Sequence, residues 1–188
     1  MKFPPVISPV CLVGALVDGK PNFMAIAWWT FLESRTMLVG VVSEKRHYTS
    51  KGIHETNCFS VNIPSPSMVQ KTDYCGVYSG NDVDKSKVFE VCYGELKKAP
   101  MIAECHVTME CRLVRTVDFE HNEMLVGKVV GVYIEDSCMT GNNGDVTKVD
   151  PLLYEGPAMY WKLGRQVAKA YHVGRNLKSM HTPKLLKV

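Results

Sequence analysis

The chain has no C-x-x-C pair, and none of its cysteine and histidine sets carries zinc-finger spacing. On that ground no metal site is expected. No G-x-G-x-x-G follows a strand-like segment and no Walker sequence occurs, which removes the Rossmann and P-loop ways of holding a nucleotide. Gly76-x-x-Ser79-Gly80 is not the G-x-S-x-G elbow, so a serine hydrolase is not inferred. Excess charge is small, +3 over 188 residues, too mild to argue for nucleic acid. The one basic cluster, Lys178, Lys184 and Lys187, reads as a solvated tail. Long apolar runs are also missing: none approaches the ~20 residues needed to span a bilayer. The start, with Pro4, Pro5 and Pro9 around a short apolar run, does not read as a signal peptide. Cysteine, in contrast, is plentiful. Seven is an odd number, so complete internal pairing is impossible, and most of these residues sit in apolar strand patterns. Free thiols packed as small hydrophobes imply a reducing, cytoplasmic setting.

What the chain does have is strands. At 188 residues, 46% of them hydrophobic, it fits one domain with a substantial core, expected over about residues 4–175. Residues 10–17 are apolar and run into the turn Asp18-Gly19-Lys20-Pro21-Asn22. Residues 25–30 read as an aromatic strand, 37–42 as a buried strand and 58–63 as an alternating one. In 104–113, Cys105, Val107, Met109, Cys111 and Leu113 share one face, while Glu104, His106, Thr108, Glu110 and Arg112 share the other. A period of two predicts a half-buried strand. Its expected partner is 123–134, across the polar link Asp118-Phe119-Glu120-His121-Asn122. Helices are few and short: 48–55, closed near Asn57; 67–74, with Pro66 near its start and Gly76 near its end; and 164–171 as a helix or a loose turn. Many short strands with few helices read as a small barrel.

Chemistry concentrates between Asn22 and Thr49. The aromatic strand Ala25-Ile26-Ala27-Trp28-Trp29-Thr30 is followed by an apolar strand that runs into Ser43-Glu44-Lys45-Arg46-His47-Tyr48-Thr49 and a helix-like segment. Amides at a helix N-terminus favour an anion, and Arg46 can grip phosphate oxygens in a fork. A flat aromatic surface beside such a turn suits a ligand with a planar ring and a phosphate, and FMN is one. Read locally, Arg46 is a surface arginine and Thr49 a residue at a helix start. Ser43 and Lys45 flank the turn with a hydroxyl and a positive charge. Trp28 and Trp29, adjacent on a strand, face opposite sides.

Gly19-Lys20-Pro21-Asn22 with Ala27-Trp28-Trp29-Thr30, Arg46-His47-Tyr48-Thr49, Phe59-Ser60-Val61-Asn62-Ile63-Pro64, and Tyr74-Cys75-Gly76-Val77-Tyr78-Ser79-Gly80 with Asp84-Lys85 stand in this order. Together they resemble the flavin reductase-like, FMN-binding split-barrel family, in its flavoredoxin-like branch. The resemblance implies a mainly β fold, a split six-stranded Greek-key barrel with a few short helices, usually dimeric. It implies FMN held noncovalently near a homodimer interface and an oxidoreductase whose donor is NAD(P)H or a small redox protein. Such reductases hold NAD(P)H transiently without a Rossmann fold.

The resemblance also assigns site residues. Backbone groups from Ala27, Trp28, Trp29 and Thr30 would meet the polar edge of the ring. Ser43, Lys45, Arg46 and Thr49 would surround the phosphate, with Lys85 approaching it. Asn62 would bind the ribityl chain or ring edge, where local reading makes it a turn-capping Asn. Ser79 lies in a glycine-containing turn beside them. His121 stands where related reductases contact the nicotinamide, although Phe119-Glu120-His121 replaces the usual Gly-Asp-His. Cys75 reads as a structural thiol, with nothing adjacent to lower its pKa. Residues 160–175, with Tyr160, Trp161, Tyr171 and His172, are expected close to the flavin. Two other readings stay open: a flavin carrier without turnover, and a haem-binding split barrel using His106, His121 or His172.

Overall fold

The computed structural model describes residues 4–156 and 158–175, so the basic tail at Lys178, Lys184 and Lys187 lies outside the described residues. Seven strands make one antiparallel sheet: β1 (Cys11–Val17), β2 (Lys20–Ile26), β3 (Trp29–Glu33), β4 (Leu38–Glu44), β5 (Cys58–Ile63), β6 (Val107–Asp118) and β7 (Asn122–Ile134). Their spatial order is β2-β1-β5-β6-β7-β4-β3. Thus β2 and β3, consecutive in the chain, form opposite edges of the sheet. The sheet curls until those edges approach, and no ladder joins them. This is a mainly β split barrel, as expected, but with seven strands rather than six.

The aromatic stretch 25–30 is therefore not one strand. It breaks at Ala27-Trp28, where the chain steps from one edge of the split to the other. The step is held by Val42 N–H, which donates to the Trp28 carbonyl at 2.8 Å. At the preceding turn Asp18 and Gly19 both take positive φ, 50° and 78°, which suits a two-residue hairpin between β1 and β2.

Period-two alternation fills the barrel: Val13, Val39, Val41, Phe59, Val61, Cys111 and Leu125 are fully buried. Each such side chain contributes about 1.5–3 kcal/mol on leaving water. A second apolar layer, built from Leu12, Phe23, Met68, Phe89, Ile102 and Cys105, covers the outer face of the wall around β1 and β5. It corrects two expectations. β5 is buried on both faces. The face of β6 expected to meet water carries Thr108 and Glu110, both buried. Glu110 is tolerated there because Glu95 N–H, Leu96 N–H and the Tyr133 hydroxyl all donate to its carboxylate, at 2.8, 2.6 and 2.5 Å.

Helix α1 (Tyr48–Thr56) ends at Asn57, whose φ of 53° and N–H to the Ile53 carbonyl close it as expected. It lies directly on β1: a Cβ at Gly52 would come within 2.2 Å of the Leu16 carbonyl oxygen, so only glycine permits this approach. Helix α2 (Val69–Val77) follows a 3-10 turn at Pro66–Met68, with Gly76 inside it rather than past its end. Helix α3 (Val146–Val149) is capped by Asp145. No helix forms over 164–171; the chain there is exposed and becomes a turn from Ala170 onward.

Candidate functional site

Strand β4 ends at Glu44, and three residues, Lys45 to His47, separate it from the start of α1 at Tyr48. His47 N–H donates to the Glu44 carbonyl at 3.0 Å, and Ser50 N–H to the His47 carbonyl at 3.0 Å. His47, at the N-cap, makes no side-chain cap, and the first turn holds no acidic residue. The positive end of the helix is left without a negative partner of its own.

Beneath this turn lies a buried cluster of hydroxyls. Ser43 Oγ sits 2.9 Å from His47 Nδ1, 2.9 Å from Ser50 Oγ and 3.6 Å from Met24 Sδ. Asn22 Nδ2 donates to Thr49 Oγ1 at 2.7 Å. Met24 belongs to β2 and Ser43 to β4, so their contact crosses the split where no ladder does, while the Asn22–Thr49 bond ties β2 to α1. Burial holds the His47 imidazole below its ordinary pKa; Arg46 and Lys85 push the same way and Glu44 opposes them.

Lys85 is 3% exposed. Its ammonium donates to the carbonyls of Phe23 and Cys75 at 3.1 and 3.0 Å. Burial pulls its pKa down. Among the described residues no carboxylate pairs with it. The loop that carries it closes tightly on the site. A Cβ at Gly80 would lie 2.4 Å from both Asn22 Oδ1 and the Tyr48 ring.

The rim is exposed and charged. Arg46 Nε lies 2.6 Å from Glu44 Oε2, and Lys45 Nζ 3.2 Å from Asp118 Oδ1. Lys45 N–H donates to the His121 carbonyl at 3.2 Å. Glu44, Lys45, Arg46, Glu120 and His121 line an open cleft of about 510 Å³. The fold thus brings His121, distant in sequence, beside the Arg46 turn.

The remaining candidates separate. Trp29 packs on the barrel core and its indole donates to the Pro9 carbonyl at 2.9 Å, whereas Trp28 is 52% exposed. Ala27 is half-buried at the same corner and Thr30 is exposed on β3. Ser79 Oγ accepts from Asn81 N–H at 3.2 Å and shapes the 79–83 turn. Asn62 is fully buried against the second layer. Its amide donates to the Leu12 carbonyl and Ser60 Oγ, and its oxygen accepts from Ile102 N–H. Its polar atoms are spent on the fold, and the structure does not bring it to the Arg46 turn.

Three residues of the cluster escaped sequence reading as site members: Asn22, His47 and Ser50. Asn22 left a usable signal. It shares its period-two face with Met24 and Ile26, and a polar group on an inward face needs a partner.

All seven cysteines are free, and only Cys92 is exposed. Burial pushes the Cys75 thiol up to about 11, with Lys85 opposing only in part. That is the behaviour of a structural thiol. Of the histidines considered for haem, His106 is bound to Glu135 at 2.5 Å, while His121 stands at the other end of β6 with its side chain 83% exposed. Among the described residues no helix is long and apolar enough to cross a membrane.

Comparison with known proteins gives a family match and close likenesses of structure. A family model for the flavin reductase like domain matches residues 3–162. The flavoredoxin from Methanosarcina acetivorans is 45% identical, over 91% of this chain and 92% of that one, with a TM-score of 0.89. The flavoredoxin of Desulfovibrio vulgaris (Miyazaki F) is 30% identical, over 93% of this chain and 100% of its own, with a TM-score of 0.85. An FMN-binding protein from Thermus thermophilus, 22% identical with a TM-score of 0.77, shares the fold.

Proposed function

The chain belongs to the flavin reductase-like family, in its flavoredoxin-like branch, and from that premise we propose that it is an oxidoreductase working through a noncovalently bound FMN. The observation that carries the proposal is the start of α1. A helix N-terminus without a side-chain cap, the exposed Lys45 and Arg46, and a buried Lys85 that no carboxylate among the described residues pairs with and whose charge is felt at His47 meet around one turn. A phosphate dianion answers all of them: helix amides and guanidinium offer directed donors, and the buried ammonium offers charge at low dielectric. Asn22, Ser43, Thr49 and Ser50 lie beneath as a hydrogen-bonded base that fixes the turn.

The corner at Ala27–Thr30 offers backbone groups and the exposed Trp28 to a planar ring. When bound, FMN supplies the hydride and electron transfer, while the chain holds the phosphate, orients the ring and limits water. Cys75, protonated at neutral pH, takes no part in the electron transfer. His121, beside the Arg46 turn, is the residue through which a nicotinamide donor would be met; a small redox protein is the other donor consistent with the family. We read FMN as a prosthetic group, residues 1–188 as one domain, the assembly as a homodimer and the compartment as the reducing cytoplasm, in keeping with seven free thiols.

The absorption spectrum of the purified protein tests the cofactor. Anaerobic mixing with NADH and NADPH then tests the donor. A yellow protein bleached by either nucleotide is the expected result. A yellow protein that no nucleotide and no reduced redox protein bleaches would be a carrier, and a haem spectrum would end the flavin reading.

A further inference from the structure

At the end of the β6–β7 ladder remote from His121, three metal-ligating side chains converge although they are scattered in sequence. His106 stands just before β6 and Glu135 just after β7, and Glu135 N–H donates to the His106 carbonyl at 2.9 Å. The 3-10 turn Asp136–Cys138 follows, closed by Cys138 N–H on the Glu135 carbonyl at 2.9 Å, and it swings Cys138 back toward the same point. An imidazole nitrogen, a carboxylate oxygen and the Cys138 sulfur then lie within 4.8 Å of one another. His106 Nδ1 is 2.5 Å from Glu135 Oε2. Ser137 Oγ donates to the other carboxylate oxygen at 2.7 Å and lies 3.8 Å from Cys138 Sγ.

We propose that His106, Glu135 and Cys138 form a site for a single divalent zinc ion, with water as the fourth ligand. The donor set argues for the metal. Imidazole, thiolate and carboxylate together suit borderline-soft Zn²⁺, whereas Mg²⁺ and Ca²⁺ prefer oxygen cages. Geometry argues the same way. Bond lengths of about 2.0–2.3 Å in a tetrahedron put donors roughly 3–4 Å apart, so side-chain rotations within the present cluster suffice.

The scaffold is fixed and the approach is open. Cys138 is buried and its carbonyl accepts from Asp145 N–H at 2.8 Å. Ser137 orients the carboxylate as an outer partner should. The side chains of His106 and Glu135 are 33% and 55% exposed, leaving the outward face for solvent. Binding turns the Cys138 thiol into a thiolate and releases its proton to solvent, so affinity rises with pH. The ion would staple the 135–149 loop to the barrel wall, at the end of β6 away from the Arg46 turn.

The test uses the flavin-loaded protein stripped of metal by chelation and titrated with Zn²⁺ in a calorimeter, with zinc content measured after desalting. One zinc per chain is expected, with proton release that scales with buffer ionisation, no competition from Mg²⁺ and a higher thermal midpoint. His106→Ala and Glu135→Gln should each lose more than the 10–100-fold that removal of an outer-shell partner costs, while their flavin spectra stay intact. Both residues are partly exposed, so the result does not depend on a Cys138 variant, which removes a core group. Cys92→Ser, at the exposed thiol, should leave binding unchanged. Absence of stoichiometric zinc would overturn the proposal and leave a surface ion pair beside a core thiol. So would undiminished binding in both His106→Ala and Glu135→Gln, or loss of zinc in Cys92→Ser.

Discussion

Arg46 is committed to a weak partner and available to a strong one. Its side chain is 86% exposed and rests on Glu44, an arrangement that water and salt screen to little. A charge-assisted contact with phosphate is worth about 1.5–3 kcal/mol, so the phosphate wins. Arg46→Ala should weaken FMN binding about 10–100-fold and change riboflavin binding little, as titration of fluorescence quenching would report. Equal losses for both ligands would make Arg46 structural. His47 gives a pH signature. Its folded pKa lies below its ordinary value, chiefly because burial disfavours the imidazolium. The unfolded chain therefore binds more protons in the window between the two pKa values. The contribution to stability is complete above the unfolded value, about 6.5, and is lost as pH falls through the folded one. In flavin-free protein, urea unfolding between about pH 7 and 5 should show the wild type losing more stability than His47→Gln, which keeps a polar partner for Ser43 and does not titrate. Parallel losses in the two proteins would remove His47 from the account.

At the scale of elements, the second layer is pinned to the barrel by a buried carboxylate. Glu110 on β6 takes donors from Glu95, Leu96 and Tyr133, so it fixes the 92–100 segment against β6 and β7. Glu110→Ala would orphan three donors, each costing about 1–3 kcal/mol when buried and partly recovered if water enters. A loss of about 3–5 kcal/mol in chemical denaturation is expected, with faster hydrogen exchange at residues 95 and 96. A loss under about 1 kcal/mol would mean that the segment is held by its apolar contacts alone. Helix α1 depends on its neighbours in the same way. Its approach to β1 at Gly52 sets where the Arg46 turn opens, so packing on one side of the helix positions chemistry at its end.

For the whole molecule, the split leaves β3 as an edge strand bearing exposed Phe31 and Leu32, with Trp28 beside it. Such an edge needs cover. The C-terminal part supplies other cover on the barrel itself. The strand Met159–Trp161 pairs with Leu153–Glu155, which pairs with Ile7–Pro9, and the Tyr160 hydroxyl donates to Asp73 at 3.1 Å. Truncation before Tyr160 strips this strand and the aromatic residues after it. In sedimentation and flavin-retention assays the shortened protein should dissociate and lose FMN more readily than the full chain. A monomer that keeps full FMN affinity would separate the cofactor site from the assembly.

Local rules were enough for much of this protein. The strand through Met109 and Cys111, the left-handed stop at Asn57 and the strand-to-helix turn at Arg46 each depend on preferences acting over a few residues, and the described structure has all three, although the strand is buried on both faces from 108 to 111. Sequence order also carried the family, because its motifs are short and follow one another along the chain. What local rules cannot reach is decided by sheet order. The corner at Ala27-Trp28 exists because β2 and β3 take opposite edges, and nothing in those residues states which edge. Glu110 is buried rather than solvated because a loop from elsewhere folds over it. Asn22 meets Thr49 across 27 residues, and Lys85 meets Phe23 across 62. Burial of an amide or an ammonium depends on which strands come together, and only the folded barrel supplies the low dielectric and the carbonyls that make those contacts count.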